Sequence, residues 1–259
     1  MEKTFLISEG PLSILCKQNT PDDGEIRRIV LGVHGLGGST NDDIQAGIAE
    51  ELEFFSSVVF RFDFPAHGES PLDSGYLTLP NCMNSLLAVA RYAREAYPEV
   101  EDLCIFASGF GAYITLVCLD QLMEMPGKVK LVVQTPSVRM HDTLLAMKGM
   151  TEPTLQAMDK IKFVKLARPF EVSYSFFCDL RENFVLAAYP IPMLILHGEE
   201  DSYIRMEDIQ HFRRINDQAK LVIIPGTTHR FLEDGAWDMV LDLTRDWFAF
   251  EQVLVTDWE

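Results

Sequence analysis

The chain has no apolar run of the roughly 20 residues needed to cross a bilayer. It contains no Walker loop, no dinucleotide fingerprint and no His/Cys cluster at metal-ligand spacing, so neither cofactor nor metal is expected. Its five cysteines (Cys16, Cys82, Cys104, Cys118 and Cys178) are odd in number and scattered, without paired metal spacing. Basic residues are scarce: 22 Lys and Arg against 39 Asp and Glu give a net charge of -17, which argues against nucleic acid or an anionic membrane as partner. Met1-Glu2-Lys3 leads into a short apolar run broken at Ser8-Glu9-Gly10-Pro11, unlike a signal peptide, and cytoplasmic residence is expected.

What is present is an ordinary globular composition, 47% hydrophobic and 24% charged over 259 residues, enough for one large α/β domain or two modest ones. Thr4 to Ser8 and Leu12 to Lys17 read as a hairpin around Glu9-Gly10-Pro11. A continuous apolar run at 29–33 and another at 103–106 suit strands buried on both faces, and further strand-like runs follow at 58–62, 129–133, 193–196 and 221–224. Helical patterns alternate with them: Asp42 to Phe54, Asn81 to Ala96, Tyr113 to Leu122 and Ala236 to Phe250. This alternation predicts a mainly parallel sheet flanked by helices. Cys104 and Cys118 fall in a strand and a helix and are expected in the core.

One segment breaks the pattern. Arg139 to Pro190 is too long for a loop of a compact domain. It carries short helical patterns at 142–149 and 154–162 and the aromatics Phe163, Phe170, Tyr174, Phe176 and Phe177. Its charges nearly balance in a chain of strong negative charge. We expect an inserted helical lid at 139–190 over a core domain of 1–138 and 191–259, with most of those aromatics in the lid's own small core and a few facing a pocket.

Several turns follow buried strands: His34-Gly35-Leu36-Gly37-Gly38-Ser39, Asp63-Phe64-Pro65-Ala66-His67-Gly68-Glu69-Ser70, Ala107-Ser108-Gly109-Phe110-Gly111, His197-Gly198-Glu199-Glu200-Asp201 and Pro225-Gly226-Thr227-Thr228-His229. With these motifs in this order, nearly the whole chain resembles the α/β-hydrolase superfamily. Within it, the chain is similar to lidded cinnamoyl and feruloyl esterases and to serine-aminopeptidase-like hydrolases. The resemblance implies the α/β-hydrolase fold and a carboxylic-ester hydrolase type of function. Asp201 is implied as the acid and His229 as the base of a catalytic triad, with Glu199 and Glu200 as less well placed substitutes for Asp201.

The nucleophile elbow of that superfamily is G-x-S-x-G on a strand-to-helix turn. Aligned here, the central position is Gly109. The other register, with Ser108 as an alternative nucleophile, puts Phe110 where a small residue is needed, whereas Gly109 leaves Gly111 and Ala112 there. The implied oxyanion hole consists of the backbone N–H groups of Leu36 and Phe110. Bland roles are expected for His34 and His67 in ordering loops and for His197 and His211; His141, at the start of the lid, is an outlying candidate for ligand contact.

Three readings remain open. The chain is a hydrolase-type protein with covalent catalysis lost, a non-catalytic pseudo-hydrolase binding a small-molecule ester, a carboxylic acid or a partner, or an esterase carrying an engineered Ser-to-Gly change. Water activated by His229 would retain some activity in the first.

Overall fold

A computed structural model of the chain describes residues 1–250 apart from Asp23 and Phe54. The chain opens with the hairpin, β1 (Glu2–Glu9) and β2 (Leu12–Asn19), turning at Gly10 with φ 55°. β3 (Arg28–Val33), α1 (Asp43–Glu53), β4 (Ser57–Phe62), α2 (Leu79–Ala96) and β5 (Asp102–Ser108) follow. The predicted end of α1 at Phe54 lies outside the described residues. α2 starts earlier than its apolar pattern because the Thr78 side chain accepts from the Asn81 N–H, with Pro80 in the first turn.

After Gly109 come α3 (Phe110–Val117), α4 (Leu119–Met123) and β6 (Lys128–Gln134). The single helix predicted from Tyr113 is therefore two, divided at Cys118, and it begins at Phe110 because Gly109 turns the chain in one residue. Cys104 and Cys118 are buried as expected, and burial pushes both thiols up to about 12.

Between β6 and the next core strand lie α5 (Met140–Lys148), α6 (Glu152–Gln156), β7 (Lys160–Phe163), β8 (Phe170–Ser173) and α7 (Tyr174–Glu182). The expectation of an all-helical segment is corrected here. The helix predicted at 154–162 stops at Gln156, and Lys160-Ile161-Lys162-Phe163 pairs antiparallel with β8. Its alternation decides the outcome: Ile161 and Phe163 are buried while Lys160 and Lys162 are exposed. β9 (Met193–Gly198), α8 (Met206–Ile215), β10 (Ala219–Ile224) and α9 (Ala236–Phe250) complete the chain.

The eight core strands form one sheet in the order β1-β2-β4-β3-β5-β6-β9-β10, parallel from β4 to β10 and antiparallel only at the hairpin and its junction with β4. Residues of α2, α3 and α8 pack on one face, and α1 and α9 on the other. Every residue of β4 and β9 is buried, which is why these strands are apolar on both faces, Arg61 being the charged exception in β4. The carboxyl ends of β3, β4, β5, β6, β9 and β10 thus share one edge, and all the glycine- and histidine-bearing turns emerge there. Among the described residues no helix is long and apolar enough to cross a membrane.

Candidate active site

β5 and α3 are joined by Gly109 alone, at φ 50° and ψ -109°. Its N–H donates to Gln134 O at 2.9 Å, so the turn is tied to the end of β6. Beside it, the Ser108 hydroxyl donates to Gln134 Oε1 at 2.9 Å and makes no bond to His229. Ser108 is therefore committed to the sheet edge. Gly111 is required for a separate reason: a Cβ there would meet the carbonyl oxygens of Val33 and His34 at 2.5 Å. Those are backbone atoms of a buried strand end and cannot give way. Gly111→Ala should cost about 1–3 kcal/mol or more, read as a lowered urea midpoint with unchanged slope. A midpoint equal to that of the parent would refute this close α3–β3 contact.

On the neighbouring loops, His229 Nδ1 lies 2.8 Å from Asp201 Oδ2. The Asp201 carboxylate is buried, and its Oδ1 also accepts the N–H groups of Tyr203 and Ile204 at 2.8 and 2.9 Å. Burial by itself would raise its pKa; the hydrogen bond and charge of His229 and the two backbone donors outweigh burial and hold it below the usual carboxylate range. Asp201 is thus an anion that accepts the hydrogen bond of Nδ1–H, leaving the Nε2 lone pair free to act as base. Nε2 faces the elbow, since a Cβ built on Gly109 would stand 4.0 Å from it. The Tyr203 ring meets the imidazole edge-on at 5.2 Å between centroids. Glu199 and Glu200 are not on His229: Glu199 Oε2 accepts the Gly226 N–H, and the Glu200 side chain is exposed.

The Gly35-Leu36 turn is built by His34. The Phe64 N–H donates to His34 Nε2 at 3.1 Å, so Nδ1 carries the proton and donates to Gly35 O at 2.8 Å. His34 is neutral, and its 4.0 Å approach to Asp63 is not an ion pair. Burial pulls its pKa down to about 4. Asp63, also buried, accepts Thr40 N–H on one oxygen and Glu69 N–H on the other, joining the turns after β3 and β4. The N–H groups of Leu36 and Phe110 make no hydrogen bond among the described residues. Phe110 opens α3, where no intrahelical acceptor exists.

These groups open on a cavity of about 840 Å³ whose wall includes Leu36, Gly109, Phe110, Gln134, Thr135 and His229. Met140, Thr143, Met147 and 164–167 bring the 139–190 segment to it. None of the segment's seven aromatics, Phe184 and Tyr189 included, lines it. Phe163, Phe170, Phe176 and Phe177 are buried in the main core instead, and the His67 ring packs against Phe170 at 4.7 Å between centroids, tilted by 38°. The expectation that some face the pocket is corrected: the pleat of β7 and β8 turns Phe163 and Phe170 inward. His141 is no ligand contact either, being turned to Asp142 and Glu152 at 3.1 and 3.2 Å. Two contacts that the sequence did not announce fasten the segment. Arg168 donates to the carbonyls of His67, Gly68, Ser70 and Leu72 at 2.7–3.2 Å, and Leu166 lies against Gly37, where a Cβ would meet it at 2.7 Å. Thr135 was also missed; a β-branched residue at φ 41° is the kind of strained residue that gathers at functional sites, and only its place after a buried strand hints at it.

No protein-family model matches the chain, and no curated protein matches it in sequence. Solved structures match throughout. A putative hydrolase from Agrobacterium vitis S4 is 17% identical with TM-score 0.81, over 96% of this chain and 98% of that one. Est1E from Butyrivibrio proteoclasticus with ferulic acid bound is 18% identical with TM-score 0.82, over 95% and 98%. Mouse alpha/beta hydrolase domain-containing protein 10 is 14% identical with TM-score 0.77, over 96% and 100%. Identities this low carry the architecture alone, and on that ground the chain has the α/β-hydrolase fold.

Proposed function

We propose that the chain carries a carboxylic-ester hydrolase type of site whose covalent chemistry is lost at Gly109, with 139–190 as a lid over a pocket for a small ester or carboxylic acid. The observation that carries this reading is the pair Asp201–His229, bonded at 2.8 Å, with Nε2 4.0 Å from a Cβ at position 109. A hydroxyl one bond beyond that Cβ comes within hydrogen-bonding range of the base. In such a site His229 takes the nucleophile's proton, Asp201 orients the ring and stabilises the imidazolium, and the N–H groups of Leu36 and Phe110 receive the carbonyl oxygen as it becomes negative. Gly109 supplies no atom to form the acyl bond. A pocket that only bound its ligand has no evident need of a buried carboxylate set behind a histidine, and this favours a catalytic origin. Ferulic acid in Est1E suggests aromatic acids among the ligands to try.

Covalent trapping tests the reading. A fluorophosphonate should add one adduct at position 109 of the Gly109→Ser variant, read by intact mass and peptide mapping. The parent chain and Gly109→Ser/His229→Gln should remain unlabelled over the same interval. A folded Gly109→Ser variant that stays unlabelled would sink the proposal.

A further inference from the structure

We infer that the chain as it stands hydrolyses esters of acidic alcohols, such as phenolic and enolic esters, without an acyl-enzyme, His229 drawing the proton directly from water. This rests on the site reading above and goes beyond it: the missing hydroxyl removes the covalent route, and the remaining groups make up a complete general-base site.

Four observations converge. First, replacing a hydroxymethyl group by hydrogen at position 109 frees about the volume that one water occupies in the liquid, ~30 Å³, directly before Nε2. Second, the protonation pattern is fixed from behind. Asp201 Oδ2 holds the Nδ1 proton, and Asp201 itself is held by Tyr203 and Ile204 N–H, so the lone pair of Nε2 is the one presented to the cavity. Third, the His229 side chain is 27% exposed while Asp201 is 1% exposed, so water reaches the base and not its anchor. Fourth, the Leu36 and Phe110 N–H groups make no hydrogen bond among the described residues, as a developing oxyanion requires.

The step balances with ester and water alone. A water oxygen forms a bond to the carbonyl carbon while Nε2 takes one of its protons. The carbonyl π pair moves to oxygen, next to the Leu36 and Phe110 N–H groups. When that pair returns, the bond to the leaving oxygen breaks and the departing alkoxide takes the proton from Nε2. Acid and alcohol are released and the imidazole is neutral again. With no acyl-enzyme to divide the reaction, attack and expulsion belong to one intermediate, and a phenol-like leaving group makes its forward collapse easier. General-base catalysis of this kind contributes about 10²–10⁴-fold.

The test uses the full chain and p-nitrophenyl butyrate, after treatment with a fluorophosphonate to silence any contaminating serine esterase. The expected result is a steady rate that survives the treatment, shows no burst of p-nitrophenol, and falls by ~100-fold in His229→Gln. Asp201→Asn should also lower it by at least ~10-fold, because the amide donates where the carboxylate accepted and turns the Nε2 proton toward the cavity. Circular dichroism checks the fold of both variants, and Asp201→Asn, nearly equal in volume to its parent, serves if His229→Gln is unstable. A fluorophosphonate-resistant rate equal in the parent and a folded variant would overturn the inference. If that happens while Gly109→Ser is labelled, only the water route fails and the site reading stands. If Gly109→Ser is not labelled, the site reading itself fails and this inference with it.

Discussion

Gly109→Ser should raise kcat/KM for p-nitrophenyl butyrate by at least ~10³-fold over the parent chain. In a well-studied serine protease, loss of the nucleophile costs on the order of 10⁶ in turnover, with roughly 10³–10⁴ over water left from binding and oxyanion stabilisation. The gain should be less than full reversal, since a base acting on water recovers part of it. The variant should also release p-nitrophenol in a burst equal to the enzyme concentration, the mark of an accumulating acyl-enzyme. A penalty accompanies the gain. At φ 50° and ψ -109° a residue with a side chain is strained where glycine is not, at a cost of order 1–3 kcal/mol, so the active variant should melt below its parent. A folded variant with less than tenfold gain and no burst would mean that its hydroxyl does not meet His229 as the backbone implies.

A second large effect concerns acid. His34 and His67 lie side by side, 5.3 Å between ring centroids, under the turns that follow β3 and β4. Burial pulls His34 down to about 4; burial first, then repulsion from His34 once it is protonated and from Arg168, pull His67 down to about 3. Unfolded histidines titrate near 6.5, so below that pH the unfolded chain binds more protons than the folded one and stability must fall as pH falls. By pH 4.5 the two groups together remove on the order of 5 kcal/mol, comparable to the whole stability of many domains. The raised pKa of Asp63 acts in the opposite sense, its contribution growing as pH falls, and the lowered pKa of Asp201 in the same sense as the histidines. Urea midpoints should therefore drop between pH 7 and 4.5 with two protons' worth of slope at most from this pair. His67→Gln alone should flatten the slope by one. An unchanged slope in that variant would show that His67 is solvated and titrates normally.

The core strands were readable in sequence because burial on both faces leaves unbroken apolar runs such as Ile29 to Val33 and Met193 to Leu196. The order of the turns was readable too, since glycine marks the places where backbone approaches backbone, as Gly111 does against Val33 and His34. The 139–190 segment was not. Lys160 to Phe163 has four residues of alternation, too few to separate a strand from the end of a helix, and its partner Phe170 to Ser173 lies across a loop that pattern cannot close. The role of Arg168 was hidden for a different reason: its partners are all backbone carbonyls, which leave no trace in side-chain chemistry. The bond from the Ser108 hydroxyl to Gln134 Oε1 was hidden because it joins side chains 26 positions apart on neighbouring strands, a pairing that no local pattern announces.

The grip of Arg168 on four carbonyls of the 67–72 turn has a consequence for traffic. The tip of the β7–β8 hairpin cannot swing outward like a door without breaking all four bonds and uncovering Leu166. That side of the rim behaves as masonry continuous with the sheet. The segment's other contribution to the cavity wall is Met140, Thr143 and Met147 of α5, where a change in side-chain bulk should act as a toll on the size of what the cavity admits.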